Sequence, residues 1–347
     1  MTTIAQLGCG YWGPNLLRNF SGQPDCLVKW VADQNPERRA FVEQHYPRTK
    51  AVAEWQPVIA DPEVEAIVIA TPAATHFMLV KASLEAGKHV LVEKPLAMST
   101  CEADELASLA ARAGRTLMVG HTFLYNAAVR YMKQLLDNGE LGQMYYIYSQ
   151  RLNLGQLRSD VNAWWNLAPH DISILLYLMD GALPATISTE GMDYIQPGVE
   201  DVVFAVLTWS NRLTAHVHVS WLDPGKVRRM TLVGSRKMVV YDDVSDDKIA
   251  VLDKGFDRVP RAGQNMDYDH FDNYQLFHRA GDVLLPRIRF QEPLQMEAAH
   301  FLECIRTGQT PLTGAQHGRD VVAILEAGQL ALKRGTTVHV PVLQDAS

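Results

Sequence analysis

The sequence predicts an α/β chain in two parts, a parallel, doubly wound N-terminal sheet and then an α+β domain with a large, mostly antiparallel sheet. Three observations carry this. Gly8, Gly10 and Gly13 lie between an apolar run, Ile4 to Leu7, and Pro14, in strand–turn–helix order. Further uninterrupted apolar runs then alternate with helical stretches that close on glycine. Beyond residue 121 the runs alternate polar and apolar residues and are separated by short turns such as Ser210-Asn211. The boundary is therefore placed between domains 1–121 and 122–347, with the closing helices free to pack back on the first domain.

In the first turn, Gly8 permits the bend, Gly10 lets backbone approach a pyrophosphate, and Gly13 allows close helix–strand packing. Tyr11 and Trp12 share that loop and are cofactor-binding candidates with the glycines. The helix that follows offers free N–H groups and a positive dipole end to phosphates. This is a dinucleotide-binding, Rossmann-type start. The second run, Cys26 to Ala32, ends in Asp33, 25 residues after Gly8. An acid there accepts from both adenosine ribose hydroxyls and repels a 2′-phosphate, which favours NAD over NADP. Arg38 and Arg39 nearby leave NADP open.

Strands follow at Ala66 to Ala70, His89 to Val92 and Thr116 to Val119, with helices between them at about Thr75–Ala86 and Ser99–Ala113. Continuous apolar strands are buried on both faces, hence a parallel sheet. Strand-like stretches in the second part are Met144–Leu152, Asp201–Trp209, Arg212–Trp221, Arg228–Val233 and Lys237–Tyr241. Helices near 292–306 and 315–334 close the chain. Trp164, Trp165, Trp209 and Trp221 are expected in the core or an interface, and Lys226, Arg228 and Arg229 on a polar strand face or a subunit contact.

A chain of 347 residues has length for about two domains. Net charge of −7 argues against a nucleic-acid or anionic-membrane partner. No apolar run approaches the roughly 20 residues of a membrane span, and no basic-then-apolar leader opens the chain. Cys9, Cys26, Cys101 and Cys304 are scattered without disulfide or metal spacing, which predicts a cytoplasmic protein with no metal site.

Gly8–Gly13, Ala70-Thr71-Pro72-Ala73-Ala74-Thr75-His76, Ala86–Pro95, Leu167-Ala168-Pro169-His170-Asp171 and the closing Glu292–Gly308 stretch resemble the Gfo/Idh/MocA oxidoreductases in order and spacing. Gly10–Leu16 and Gly120-His121-Thr122 resemble a bacterial branch acting on nucleotide-linked sugars. That resemblance implies NAD-dependent oxidation of a sugar secondary hydroxyl, with the 3-hydroxyl of UDP-N-acetylglucosamine or a relative as substrate. The 3-keto product would pass to an aminotransferase, as in lipopolysaccharide or lipid A sugar synthesis. Assembly through the open sheet face as a homodimer or homotetramer is also implied. Keto-sugar reduction, inositol or free-sugar oxidation, and a non-catalytic dinucleotide-binding regulator stand as alternatives.

Oxidising an alcohol needs a base within reach of the hydroxyl and with a pKa near working pH. Lys94, at the carboxyl end of the Val-Leu-Val-Glu-Lys-Pro strand, points into the ligand crevice, where desolvation and a nicotinamide cation depress its pKa. The resemblance implies a cis Lys94–Pro95 bond. Glu93 is expected to orient the nicotinamide ribose or Lys94. His170 is the second catalytic candidate, expected in the first turn of a helix beginning at Pro169, where the dipole disfavours its charged form. The resemblance gives it proton transfer beside Lys94. Where the family often has aspartate, four residues earlier, this chain has Asn166, which cannot take a proton. Asp171 does not replace it, because adjacent helical residues point about 100° apart. Thr71, Pro72, Thr75, His76 and His121 are further cofactor candidates. Tyr125 with Asn126 beside it, Arg151, Asn153, Arg158, Asn162 and Asn166 join Lys94 and His170 as substrate candidates, the arginines suiting a diphosphate.

Overall fold

The computed structural model describes residues 1–155, 157–260 and 274–341. Strands β1 (Thr2–Leu7), β2 (Cys26–Ala32), β3 (Lys50–Val52), β4 (Ala66–Ile69), β5 (His89–Glu93) and β6 (Leu117–Gly120) form one sheet, in the order β3-β2-β1-β4-β5-β6. Every pairing in it is parallel. All four β4 residues are buried, as an apolar run covered on both faces requires. The helices are α1 (Gly13–Ser21), α2 (Pro36–His45), α3 (Gln56–Ala60), α4 (His76–Glu85) and α5 (Thr100–Ala113). Ser99 caps α5 by accepting from the Glu102 N–H, and Gly114 ends it at φ +60°. Strand order reverses across β1 and β4, so the ligand crevice opens at their carboxyl ends.

The second unit contains α6 (Ala127–Asp137), β7 (Met144–Leu154), α7 (Ala163–Leu178), β8 (Thr186–Met192), β9 (Val202–Thr208), β10 (Thr214–Ser220), β11 (Leu222–Gly234), β12 (Met238–Asp242), β13 (Ile249–Pro260) and β14 (Tyr274–Leu284). Helices α8 (Pro293–Thr307) and α9 (Ala315–Arg334) and strand β15 (Val338–His339) complete it. The nine strands run β14-β13-β12-β11-β7-β10-β9-β8-β15, antiparallel except at β7–β10. Ala215, Val217 and Val219 alternate inward on β10 while His216 stays exposed. The inner face packs against α7 and α9. Trp164 is fully buried there and donates its indole N–H to the Leu325 carbonyl at 2.9 Å. A Cβ on Gly328 would lie 2.6 Å from the Trp164 ring, so only glycine admits this contact. Phe204, 53% exposed, and His218 stack on the outer face.

The last two helices return to the first sheet. Arg18 on α1 pairs with Glu292, and Thr100 at the start of α5 donates to Glu326 on α9. The Val119 N–H on β6 donates to the Thr313 carbonyl.

One helix departs from expectation. Helix α7 begins at Ala163, capped by Asn162, and runs through Pro169. His170 is therefore two turns inside it, beyond the reach of the N-terminal dipole. The Pro169 signal misled because proline is most at home in a first turn, whereas here the surrounding packing tolerates it in the interior.

Candidate active site

A cleft of about 680 Å³ opens where the two sheets meet. It is lined from the glycine turn, the loops after β4 and β6, the end of β5, strands β7 and β11, and helices α7 and α8.

At the glycine turn, a Cβ on Gly8 (φ +90°) would sit 2.5 Å from the Ala70 carbonyl oxygen, and one on Gly13 2.7 Å from that of Gly8. These two glycines are required by the fold. Gly10 is different: a Cβ there meets nothing within 4 Å. Its smallness serves the approach of a ligand, as a pyrophosphate cradle requires. Trp12, the N-cap of α1, makes no side-chain capping bond, which leaves the first-turn N–H groups free of one. Asp33 is pinned by the Cys9 N–H (2.6 Å) and the Asn35 N–H (2.8 Å). Arg39 donates to the carbonyls of Asp33 and Gln34, while Arg38 is exposed. This donor and acceptor set fits a dinucleotide with free ribose hydroxyls.

Among the other cofactor candidates, Tyr11, Trp12, Thr71, Glu93 and Lys94 line the cleft. Thr75 and Pro72 shape the loop instead, Thr75 donating to the Pro72 carbonyl and accepting from Thr71. His76 is 1% exposed, its ring nitrogens against the carbonyls of Pro95 (2.7 Å) and Thr71 (3.0 Å). It ties the β4 loop to the cis Lys94–Pro95 bond and does not face the cleft. His121 is likewise 1% exposed and packed edge-on against His317. Sequence position put both histidines near the cofactor, but the core takes up their rings.

Lys94 donates from Nζ to the Asn166 carbonyl at 2.8 Å. Desolvation lowers the Lys94 pKa, the Glu93 charge opposes this, and the Arg158 and Arg151 fields reinforce it. Glu93 is pushed up by its own burial. His170 packs edge-on against Phe123 at 5.1 Å and leaves Nδ1 buried without a partner. Burial first, then the Lys94 charge, holds its pKa well below that of free histidine. The ring is thus neutral at pH 7, as expected, but by desolvation and not by a helix dipole.

Asn153 and Asn166 line the cleft, and Asn166 Oδ1 accepts from the Trp221 indole at 3.3 Å. Arg151 lines it too, but its guanidinium is held by buried Asp171 at 2.6 Å, which also accepts from Ser149. Arg158 is paired with Asp160. Two substrate candidates fall outside. Tyr125 is 3% exposed, its hydroxyl near Met118 and Thr313. Asn162 is consumed by capping α7 and by bonds to Glu200 and Gln329.

Three residues went unrecognised. Phe123 lines the cleft where Tyr125 was expected, and Asn126, expected there with Tyr125, lines it too. Lys226 and Arg228, expected on a strand face or a subunit contact, also line it. Register explains this: β11 pairs with β7 from Val227↔Leu152, opposite the arginine strand, and Arg228 faces Arg151. Arg228 contacts Asp243 at 3.3 Å, and among the described residues Lys226 has no charged partner.

Residues 2–121 match a family model described as an oxidoreductase family with an NAD-binding Rossmann fold, and residues 129–240 match the GFO/IDH/MocA C-terminal domain. The chain is 33% identical over 211 residues to the uncharacterized oxidoreductase YdgJ of Escherichia coli K12, a match covering 56% of this chain and 58% of that protein. It is 28% identical over 255 residues to the UDP-N-acetylglucosamine 3-dehydrogenase of Acidithiobacillus ferrooxidans, covering 72% and 78%. Its fold is similar to that of levoglucosan dehydrogenase in complex with NADH, with TM-score 0.82 at 19% identity, covering 99% of this chain and 100% of that one.

Proposed function

The chain belongs to the Gfo/Idh/MocA oxidoreductase family, and from that membership we propose that it oxidises a secondary hydroxyl of a nucleotide-linked sugar with NAD. The observation that carries the reading is Lys94, a desolvated lysine at the end of β5 inside a cleft that fits a dinucleotide. NAD, when bound, would accept the hydride. Lys94 in its neutral form takes the hydroxyl proton, and the Asn166 carbonyl then holds the ammonium by the bond it already accepts. Neutral His170, whose buried Nδ1 has no hydrogen-bond partner, is the second proton acceptor at the same wall. Asn166 adds hydrogen bonding and no charge.

The finer substrate is the 3-hydroxyl of UDP-N-acetylglucosamine or a close relative, supported by the likeness to the Acidithiobacillus enzyme and by cations along the cleft. Arg151, Arg158 and Arg228 already face carboxylates, so Lys226, which among the described residues has no charged partner, is the cation that receives a diphosphate. The product is a 3-keto sugar suited to transamination. The open sheet face with Phe204 is the surface through which two copies would associate.

The test is NADH absorbance with purified protein, NAD and UDP-N-acetylglucosamine, an aminotransferase drawing off the ketone. Growth that depends on the UDP moiety and disappears in Lys94→Ala supports the proposal. NADH formed equally from free sugars or inositols overturns the nucleotide-sugar assignment, and a flat trace in both directions from NAD-binding protein overturns the dehydrogenase.

A further inference from the structure

Glu297 is 0% exposed on α8, on the same face as buried Leu294, Ala298 and Phe301. Its Oε2 accepts from Thr122 Oγ1 at 2.8 Å, and its Oε1 is buried without a partner. Glu93, which does line the cleft, repeats the pattern. Its Oε2 lies 3.3 Å from the Lys94 N–H, the Trp12 side chain hydrogen-bonds to the carboxylate, and Oε1 is buried and unpartnered. One short segment brings the two acids together. A Cβ on Gly120 would meet the Glu93 carboxyl at 3.1 Å, and Thr122, two residues on, holds Glu297. Burial and the Glu93 charge both disfavour ionisation of Glu297.

Two buried carboxylates in each other's field do not both ionise, and one proton satisfies two orphan acceptor oxygens. We propose that Glu93 and Glu297 form a carboxyl pair sharing one proton, which Glu297 carries and donates from Oε1 to Glu93 Oε1. Glu297 does not line the cleft, so it is a positioning residue that acts through Glu93. The pair keeps one negative charge, held on Glu93 next to Lys94, where it favours the ammonium that Lys94 becomes on taking a proton. It also fixes the Glu93 carboxylate toward the cofactor end of the cleft. The other groups around it are Lys94 on β5, His121 and Tyr125 after β6, Arg130 on α6, His300 on α8 against Tyr125, and His317 on α9. Apart from Lys94 and Arg130, these are neutral at pH 7.

Infrared difference spectra of the full chain at neutral pH, wild type minus Glu297→Gln, read the proton without any substrate. The expected result is a protonated-carboxyl C=O band in the wild type that vanishes in the variant; no such band overturns the pair. Tryptophan-fluorescence titration with NAD from about pH 5 to about pH 9 reads the positioning. Glu297→Gln keeps a neutral donor and should hold affinity within about twofold. Glu297→Leu offers none, so protonation of Glu93 moves to higher pH by about one unit and affinity falls about tenfold near neutrality, more so in acid. Equal, pH-independent losses in both variants overturn it in favour of a packing role.

Discussion

Lys94 combines two demands that pull against each other: a strand that buries it and a cleft that needs it charged and uncharged in turn. Its lowered pKa places the protonation that silences it nearer to neutrality than in free lysine. Turnover should therefore rise with pH along an acid limb, which a pH–rate profile measures. Lys94→Met should lower kcat/KM by about 10²–10⁴-fold while NAD binding persists in fluorescence titration. Lys226 belongs to recognition. Lys226→Ala should raise KM for a UDP-sugar about tenfold, the worth of one charge-assisted hydrogen bond, with kcat unchanged. Sequence order made Lys94 and His170 legible because each sits in a distinctive local string. It could not find Lys226, because its place in the cleft comes from β11 pairing with β7 across some 75 residues of chain.

Elements turn those residues into a site. In the β1–α1 turn the three glycines separate by what surrounds them. Gly10→Ala should leave Tm unchanged and weaken NAD binding, since its Cβ enters open space. Gly13→Ala should lower Tm as well, because its Cβ meets backbone at 2.7 Å. Calorimetry with NAD titration distinguishes the two. Helix α7 shows the limit of local signals. Pro169 reads as a start, yet the helix extends six residues before it, where Asn162 caps it and Trp164 is buried against α9. Asp171 on this helix closes a buried pair with Arg151. Asp171→Ala should cost about 3–5 kcal/mol in denaturant unfolding by stranding the guanidinium. Glu297 carried a readable sign, a charge on the apolar face of α8, between Leu294 and Phe301.

Over the whole molecule, buried histidines set an acid limit to stability. His121 and His170 are held well below the free value and His317 is lowered to about 4, each chiefly by burial. The unfolded chain binds these protons near pH 6.5 and the folded chain does not, so stability falls as pH drops below about 6.5. Glu297 has the opposite sign. Its raised pKa means the folded state keeps a proton that the unfolded state releases, which costs stability as pH rises above about 4.5. Thermal melts should thus show Tm declining from about pH 7 to about pH 5, and Glu297→Gln should be more stable than wild type at neutral pH. The open face of the nine-stranded sheet should appear as a dimer or tetramer by light scattering, weakened by Phe204→Glu.

The sequence by itself determined what is written in neighbouring residues: the glycine turn and its acid, the apolar strands of a parallel sheet, the alternating strands of the second, and Lys94 at a strand end. Those properties follow from backbone sterics and burial period, which act over a few residues. Tertiary structure alone decided which side chains share the cleft. It withdrew His76, His121, Tyr125 and Asn162 into packing and capping, and brought Lys226 and Arg228 in. It also set two acids 204 positions apart, Glu93 and Glu297, against one short segment. The physical reason is that strand pairing and helix docking fix distances that chain order does not encode, and desolvation then sets the charge each group can hold.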